Sequence, residues 1–321
     1  MPSALPLDPP QRLVRALGSL RGYAGEEVEA EADAWLAALP RLLEETLKRW
    51  ELTAERVVAP GGRGSLVALV RQPDGAPAVL KLLAPDLAGS RLRAEREGAA
   101  LAQWDGWGAV RLLRSAPEDG ALLLERLHGE MSLRSLPEAK AMLEAVSAAR
   151  RLWVTPAPEP AGGEGVFETV AEHTAEEIGF LRGAVPEEVL PLLEEALQLR
   201  AALLAEPPEQ VLLHGDFRQG AVLAADAERA RWLAVGPEPL LGERAYDLAR
   251  LTRDRLHDLV ASPGAAAATR RRIHKLADSL DVDRERLRGW SLYRAVESGI
   301  RHMASGRRED GEILLEFAGW L

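Results

Sequence analysis

Two periodicities divide this chain, and their order limits what it can fold into. Between residues 65 and 127 the apolar residues come in strand-length runs. SLVALVRQPDGAPAVLKLL (65–83) reads as two strands joined at Pro73-Asp74-Gly75-Ala76, a hairpin signal. AVRLLRSA and ALLLERL read as two more strands with PEDG between them, and one helix interrupts the series at about 91–104. From about residue 138 the pattern is helical, with a single β interlude at 211–235. The first fifty residues are helical too. Val28, Ala32, Trp35, Leu36 and Leu39 form one stripe, with Leu42, Leu43 and Leu47 beyond a break at Pro40. PAPEPAGGEG (156–165) is the clearest loop. Strands first, then a helical half holding a short hairpin, describes a two-lobed α+β protein. The expected lobes are 1–127 and 128–321.

Composition narrows the function. At 321 residues, 47% hydrophobic and 28% charged, the chain can bury two cores. A net charge of −10 argues against a nucleic-acid partner and suits a small cationic ligand. The absence of cysteine excludes disulfides, thiolate nucleophiles and thiolate metal sites. The opening MPSALPLDPPQRL lacks a basic start followed by an apolar run, and no uncharged apolar stretch reaches membrane-spanning length. A cytoplasmic protein without a membrane partner is the expectation, and the oligomeric state is left open. The six histidines show no metal-binding spacing, and neither a Gly-x-Ser-x-Gly elbow nor a Gly-x-x-x-x-Gly-Lys-Ser/Thr loop occurs.

Several residues stand out for phosphoryl-transfer chemistry, which needs a cover and a cation for the phosphates, metal, and a base. Gly61, Gly62 and Gly64 precede Ser65 at the start of a strand, where backbone N–H groups can approach phosphate oxygens. A plain turn between strands explains them equally. Lys81 sits in the apolar run PAVLKLL on the face of Val79 and Leu83, which is costly without a partner. Glu95 and Glu97 in the following helix offer one. The alternative is a lysine snorkelling to water. The run VLLHGDF brings Asp216 to a strand end, where a base meets a substrate. Glu297 lies four residues before Arg301 on a helix, as a lining residue of an acceptor pocket or as a surface ion pair.

Nearly the whole sequence resembles the aminoglycoside/hydroxyurea resistance phosphotransferases, the group containing streptomycin 6-phosphotransferase. The likeness runs through AWLAALPRLLEETLKRW, DGAPAVLKL, WDGWGAVRLL, ALLLERL and VLLHGDF. It continues in WLAVGPEPLLGERAYDLARLTRDRL, DRERLRGWSLYRAVESG and LLEFAGWL. The resemblance implies a two-lobed protein-kinase-like fold with ATP and magnesium between the lobes. It implies that Lys81 pairs with the α/β-phosphates, that Glu97 rather than Glu95 is its partner, and that the backbone of Glu125–Leu127 holds adenine. Asp216 becomes the catalytic base, Asp247 an anchor for its loop, and Glu297 an acceptor-pocket residue.

The sequence departs from that pattern at the metal. The family's loop reads approximately His-Gly-Asp-Leu-His-Pro-Gly-Asn, and here it ends Arg218-Gln219-Gly220-Ala221. The family's next strand ends in Ile-Asp-Pro-Lys-Pro, and here it reads Val235-Gly236-Pro237-Glu238-Pro239. Both metal-ligand positions, Ala221 and Gly236, lack an oxygen, and Glu238 reverses a lysine's charge. Magnesium needs hard oxygen ligands, so no metal residue is expected and ATP binding is in question. Arg218, Gln219 and Glu238 are the candidate compensations, Arg218 and Glu238 being otherwise solvated surface charges. Three functions follow: a degenerate kinase fold that binds a small polar molecule, an active phosphotransferase acting on an aminoglycoside-like or other small antibiotic, and an enzyme of another type reusing Asp216 without metal.

Overall fold

A computed structural model describes residues 8–18, 26–85, 93–158, 165–226 and 228–321. Most of the expected loop at 156–165 lies outside the described residues. The chain separates into two compact units, residues 1–129 and 130–321.

The first unit opens with α1 (Gln11–Gly18) and α2 (Glu26–Arg49). The break expected at Pro40 does not occur, and α2 runs straight through it. A mid-helix proline removes one backbone hydrogen bond. Here Leu39 and Leu43, both fully buried in the same apolar cluster, hold the two halves of the helix on one surface. Strands β1 (Thr53–Val57), β2 (Ser65–Arg71) and β3 (Pro77–Leu83) follow, then α3 (Arg93–Trp104), β4 (Leu112–Ala116) and β5 (Ala121–Glu125). They form one antiparallel sheet in the order β1-β2-β3-β5-β4. Alternation along β3 gives the sheet two faces. Ala78, Leu80 and Leu82 join Leu13, Leu39 and Leu43 in one core, while Lys81 points to the other face, which α3 covers.

Strand β6 (His128–Ser132) spans the boundary, and the second unit continues with α4 (Glu138–Leu152), α5 (Val170–Ala184) and α6 (Leu190–Ala205). Thr169 caps α5 in a reciprocal capping box with Glu172. Three short strands follow, β7 (Val211–Leu213), β8 (Val222–Ala224) and β9 (Trp232–Ala234), and then β10 (Leu240–Gly242). The β interlude therefore extends past residue 235 and is not one hairpin. β7 pairs with β10, whereas β8 and β9 form a three-stranded sheet with β6. Strands of three residues carry too little alternation to be read singly. Helices α7 (Arg244–Thr252), α8 (Leu256–Val260), α9 (Ala265–Leu280), α10 (Arg284–Ala304) and α11 (Arg308–Ala318) complete the unit. Trp290 and Phe317 are fully buried, and Trp320 is half-buried and rests edge-on against Phe317. Among the described residues no helix is long and apolar enough to cross a membrane.

Candidate functional site

In the first unit, Lys81 and Glu97 meet. Lys81 lies on the strand between its register partners Val67 and Leu122, and Glu97 comes from the buried side of α3. The Lys81 Nζ donates to both Glu97 oxygens, at 2.7 and 2.5 Å. The lysine side chain is 12% exposed and the glutamate 2%, so this is a paired buried charge and not a lysine reaching for water. Glu95 is exposed on the opposite side of α3. Gly61, Gly62 and Gly64 occupy the connection from β1 to β2, and the Gly64 carbonyl accepts a bond from Ala84 N at 2.9 Å. Ser65 begins β2, buried, opposite Leu83. Glu125 ends β5; its carboxylate accepts from Arg111 N at 2.7 Å, and its own N–H donates to the Arg111 carbonyl. Leu127 lies just beyond.

In the second unit the loop 214–221 connects β7 to β8. Its fixed point is Asp247, on the first turn of α7 and fully buried. Asp247 accepts from His214 N at 3.0 Å, Gly215 N at 2.9 Å and Trp153 Nε1 at 3.2 Å. Gly215 has φ +80°, and a Cβ there would overlap the Glu238 carbonyl, so only glycine fits. His214 is buried edge-on against Phe217, and burial holds its imidazole below the ordinary value, against the pull of Asp247 and Asp216.

Asp216 emerges from this anchored turn between two arginines. Arg250 Nε donates to Oδ1 at 2.7 Å and Arg218 Nε donates to Oδ2 at 2.8 Å. Burial would raise the Asp216 carboxyl; the Arg250 and Arg218 guanidiniums outweigh it and hold the carboxyl far below the usual carboxylate range. Arg218 is thus the partner of Asp216, not an independent surface charge. Arg250 was not visible as a site residue in the sequence. Its signal was its place three residues after Asp247, which puts both on one side of α7 facing the loop.

The residues present do not fit a magnesium site. Ala221 is buried and offers a methyl group, and Gly236, at φ +65°, offers none. Gln219, a candidate oxygen donor, is buried and turned away: its Oε1 accepts from Arg255 Nε at 2.8 Å and its Nε2 contacts Met142 Sδ at 3.2 Å. Glu238 is exposed, with its backbone N–H on the His214 carbonyl. Among the described residues no group of histidine and carboxylate side chains is placed to hold a metal ion.

Glu297 departs from its expected surface setting. It does pair with Arg301, at 2.5 Å, but the pair is not on the surface: the Glu297 side chain is 13% exposed, and Arg301 also reaches Glu177 at 2.5 Å. Burial would raise Glu297, yet the guanidiniums of Arg301, Arg294 and Arg253 hold it low, while Glu177 is raised by burial and by Glu297. Its carboxylate is committed to a network between α5 and α10.

The profile of the aminoglycoside/hydroxyurea antibiotic resistance kinases matches residues 49–306. The chain belongs to that family. A streptomycin 6-kinase of Streptomyces glaucescens is 37% identical over 290 residues, covering 89% of this chain and 88% of that protein. A hydroxyurea phosphotransferase of Kitasatospora aureofaciens is 36% identical over 95% of this chain and 82% of its own length. Solved structures of the same fold include an aminoglycoside phosphotransferase in complex with ADP and hygromycin B, with TM-score 0.59 at 15% identity over 86% of this chain and 96% of that one. A choline kinase from Streptococcus pneumoniae matches with TM-score 0.57 at 13% identity, over 87% and 96%. The family's fold, a small antiparallel-sheet lobe and a mainly helical one, is the fold of this chain.

Proposed function

We propose that this member of the family keeps the kinase fold to bind a small polar molecule and has lost ordinary metal-dependent phosphoryl transfer. One observation carries the reading: both Asp216 oxygens lie on guanidiniums, at 2.7 and 2.8 Å, where the metal-ligand positions carry Ala221 and Gly236. A carboxylate held that far below its ordinary range is a weak acceptor for a substrate proton. Without the ion, the developing charge loses several kcal/mol of stabilisation, and each ~1.36 kcal/mol is about tenfold in rate. The relative named for streptomycin, together with the net charge of −10, favours an aminoglycoside-like cation as the ligand class.

A second reading, an active phosphotransferase on a hydroxyl of an aminoglycoside-like antibiotic, draws support from the Lys81–Glu97 pair at 2.5 Å. That pair is the arrangement kinases use to position nucleotide phosphates, with Gly61–Ser65 and the Glu125–Leu127 backbone as the matching nucleotide contacts and Asp216 as base. Arg218 and Arg250 would then stand in for magnesium. ADP release by the purified protein with streptomycin, hygromycin B or hydroxyurea, with and without magnesium, separates the two. The first reading expects ligand-dependent melting shifts with no ADP release. Turnover that disappears in Asp216→Asn would establish the second.

A further inference from the structure

Away from the Asp216 loop, helices α4, α8 and α9 enclose a cavity of about 420 Å³. That volume lies in the range of small-ligand sites, about 300–1,000 Å³. Its walls are apolar: Met142, Val146, Leu259 and Leu276, with Leu143 at 63% exposure.

The charge around it is one-sided. Four basic residues and two acidic ones line the cavity, on a chain whose net charge is −10. Two of the basic residues are already committed. Arg272 reaches Glu138 and the carbonyls of Thr252 and Asp254, at 3.0 and 2.8 Å, and Arg255 holds Gln219 and the Leu136 carbonyl. Arg271 and Lys275 differ. They stand one turn apart on α9, both exposed, with no hydrogen bond or ion pair among the described residues. Like charges four apart on a helix repel by a few tenths of a kcal/mol, roughly 0.2–0.5, and neither side chain has an ion-pair partner among the described residues.

From these observations we infer that the cavity is a binding site for an amphipathic organic anion, an apolar body with one carboxylate or phosphate head. The body would lie against Met142, Val146 and Leu276, and the head between Arg271 and Lys275. Two wall residues bond directly to Gln219, in the loop that carries Asp216. Met142 and Arg255, both wall residues, hold the two ends of the Gln219 amide, and Gln219 N donates to Asp254 Oδ2 at 2.6 Å. Arg272 in turn holds the Asp254 carbonyl. An occupant that moves Met142 or Arg255 therefore acts on residues 214–221. This inference is independent of whether the chain transfers phosphate.

The test uses the full chain and three probes with one tail: decanoate, decyl phosphate and decyltrimethylammonium, each below its micelle concentration. Calorimetric titration should show saturable one-to-one binding of decanoate or decyl phosphate, the tighter of the two naming the head group, and none of the ammonium. The Arg271→Glu/Lys275→Glu variant, altered at exposed unpaired side chains, should melt as the parent does and bind the anion at least tenfold more weakly. Saturation should change hydrogen exchange across residues 214–221. Absence of saturable anion binding, equal binding by the charge-reversed variant, or equal binding of the ammonium would overturn the site. Unchanged exchange at 214–221 with the anion bound would overturn its coupling to the loop.

Discussion

The Lys81–Glu97 pair and the Asp216 loop are both sites where a chain of this family places charge out of water, and they handle it differently. In the first, one cation meets one anion, at 12% and 2% exposure, and the pair is balanced. In the second, one carboxylate is shared by two guanidiniums, with Asp216 at 22% exposure and Arg218 and Arg250 at 36% and 32%. The first arrangement leaves a lysine able to turn toward a phosphate while its partner holds it. The second leaves one positive charge in excess around the carboxylate. One site balances a single pair of opposite charges, and the other surrounds one carboxylate with two arginines.

Substitutions at the two sites should separate these descriptions. The largest loss of stability is expected from Lys81→Met, which strands a carboxylate that is 2% exposed; removing one partner of a buried pair costs about 3–5 kcal/mol. Urea unfolding should show it, and a loss below 1 kcal/mol would mean that the pair is solvated after all. Asp247→Ala should come next. It orphans the His214 and Gly215 N–H groups, at roughly 1–3 kcal/mol for each buried donor left unsatisfied, and it should raise hydrogen exchange in the 214–221 loop.

Asp216→Asn removes a carboxylate shared by two half-exposed arginines, so the expected loss is smaller, about 1–2 kcal/mol at pH 7. Its pH dependence is more diagnostic. The folded Asp216 carboxyl is lowered far below its ordinary value. Its stabilisation is therefore complete above the unfolded carboxyl value, near pH 4, and is lost as pH falls below that. The parent should lose stability more steeply than the Asn variant below pH 4, and parallel curves would contradict the double arginine clamp. Ala221→Asn/Gly236→Asp is the least informative about stability: aspartate tolerates the positive φ at position 236 better than most residues, while asparagine crowds the buried site of Ala221. Its readout is binding. Magnesium-dependent ATP affinity gained in this variant would show that the missing oxygens are what separates the two sites. No gain would locate the difference in the arginines, and adding Arg218→His would then test them.

That Lys81 needs a carboxylate on α3 was legible because a lone charge in an apolar strand demands an opposite charge on the next covering element, but the choice of Glu97 over Glu95 came from the family resemblance. The Asp247 anchor was legible only through the family resemblance, since no local pattern links residue 247 to the backbone N–H groups of 214 and 215. The exposed reading of Arg301 and Glu297 failed for a related reason. Spacing of four residues places two side chains together, but it does not say whether α5 packs over them. Pro40 misled because a proline's local cost was weighed without the burial of Leu39 and Leu43 on either side of it.

What the sequence determined alone was a two-lobed α+β architecture, through the segregation of strand and helix periodicities, and the absence of a side-chain oxygen at positions 221 and 236, which no packing can restore. What only the tertiary structure decided was where the charges go. Most of the forty basic residues here are arginines, long and flexible enough to reach several partners. That Arg250 and Arg218 close on Asp216 while Arg255 takes Gln219 out of reach depends on how α7 and α8 pack against the loop. Periodicity records which face of an element is buried. It does not record which of many like cations arrives at a given carboxylate, because that choice is made by contacts between segments distant in the chain.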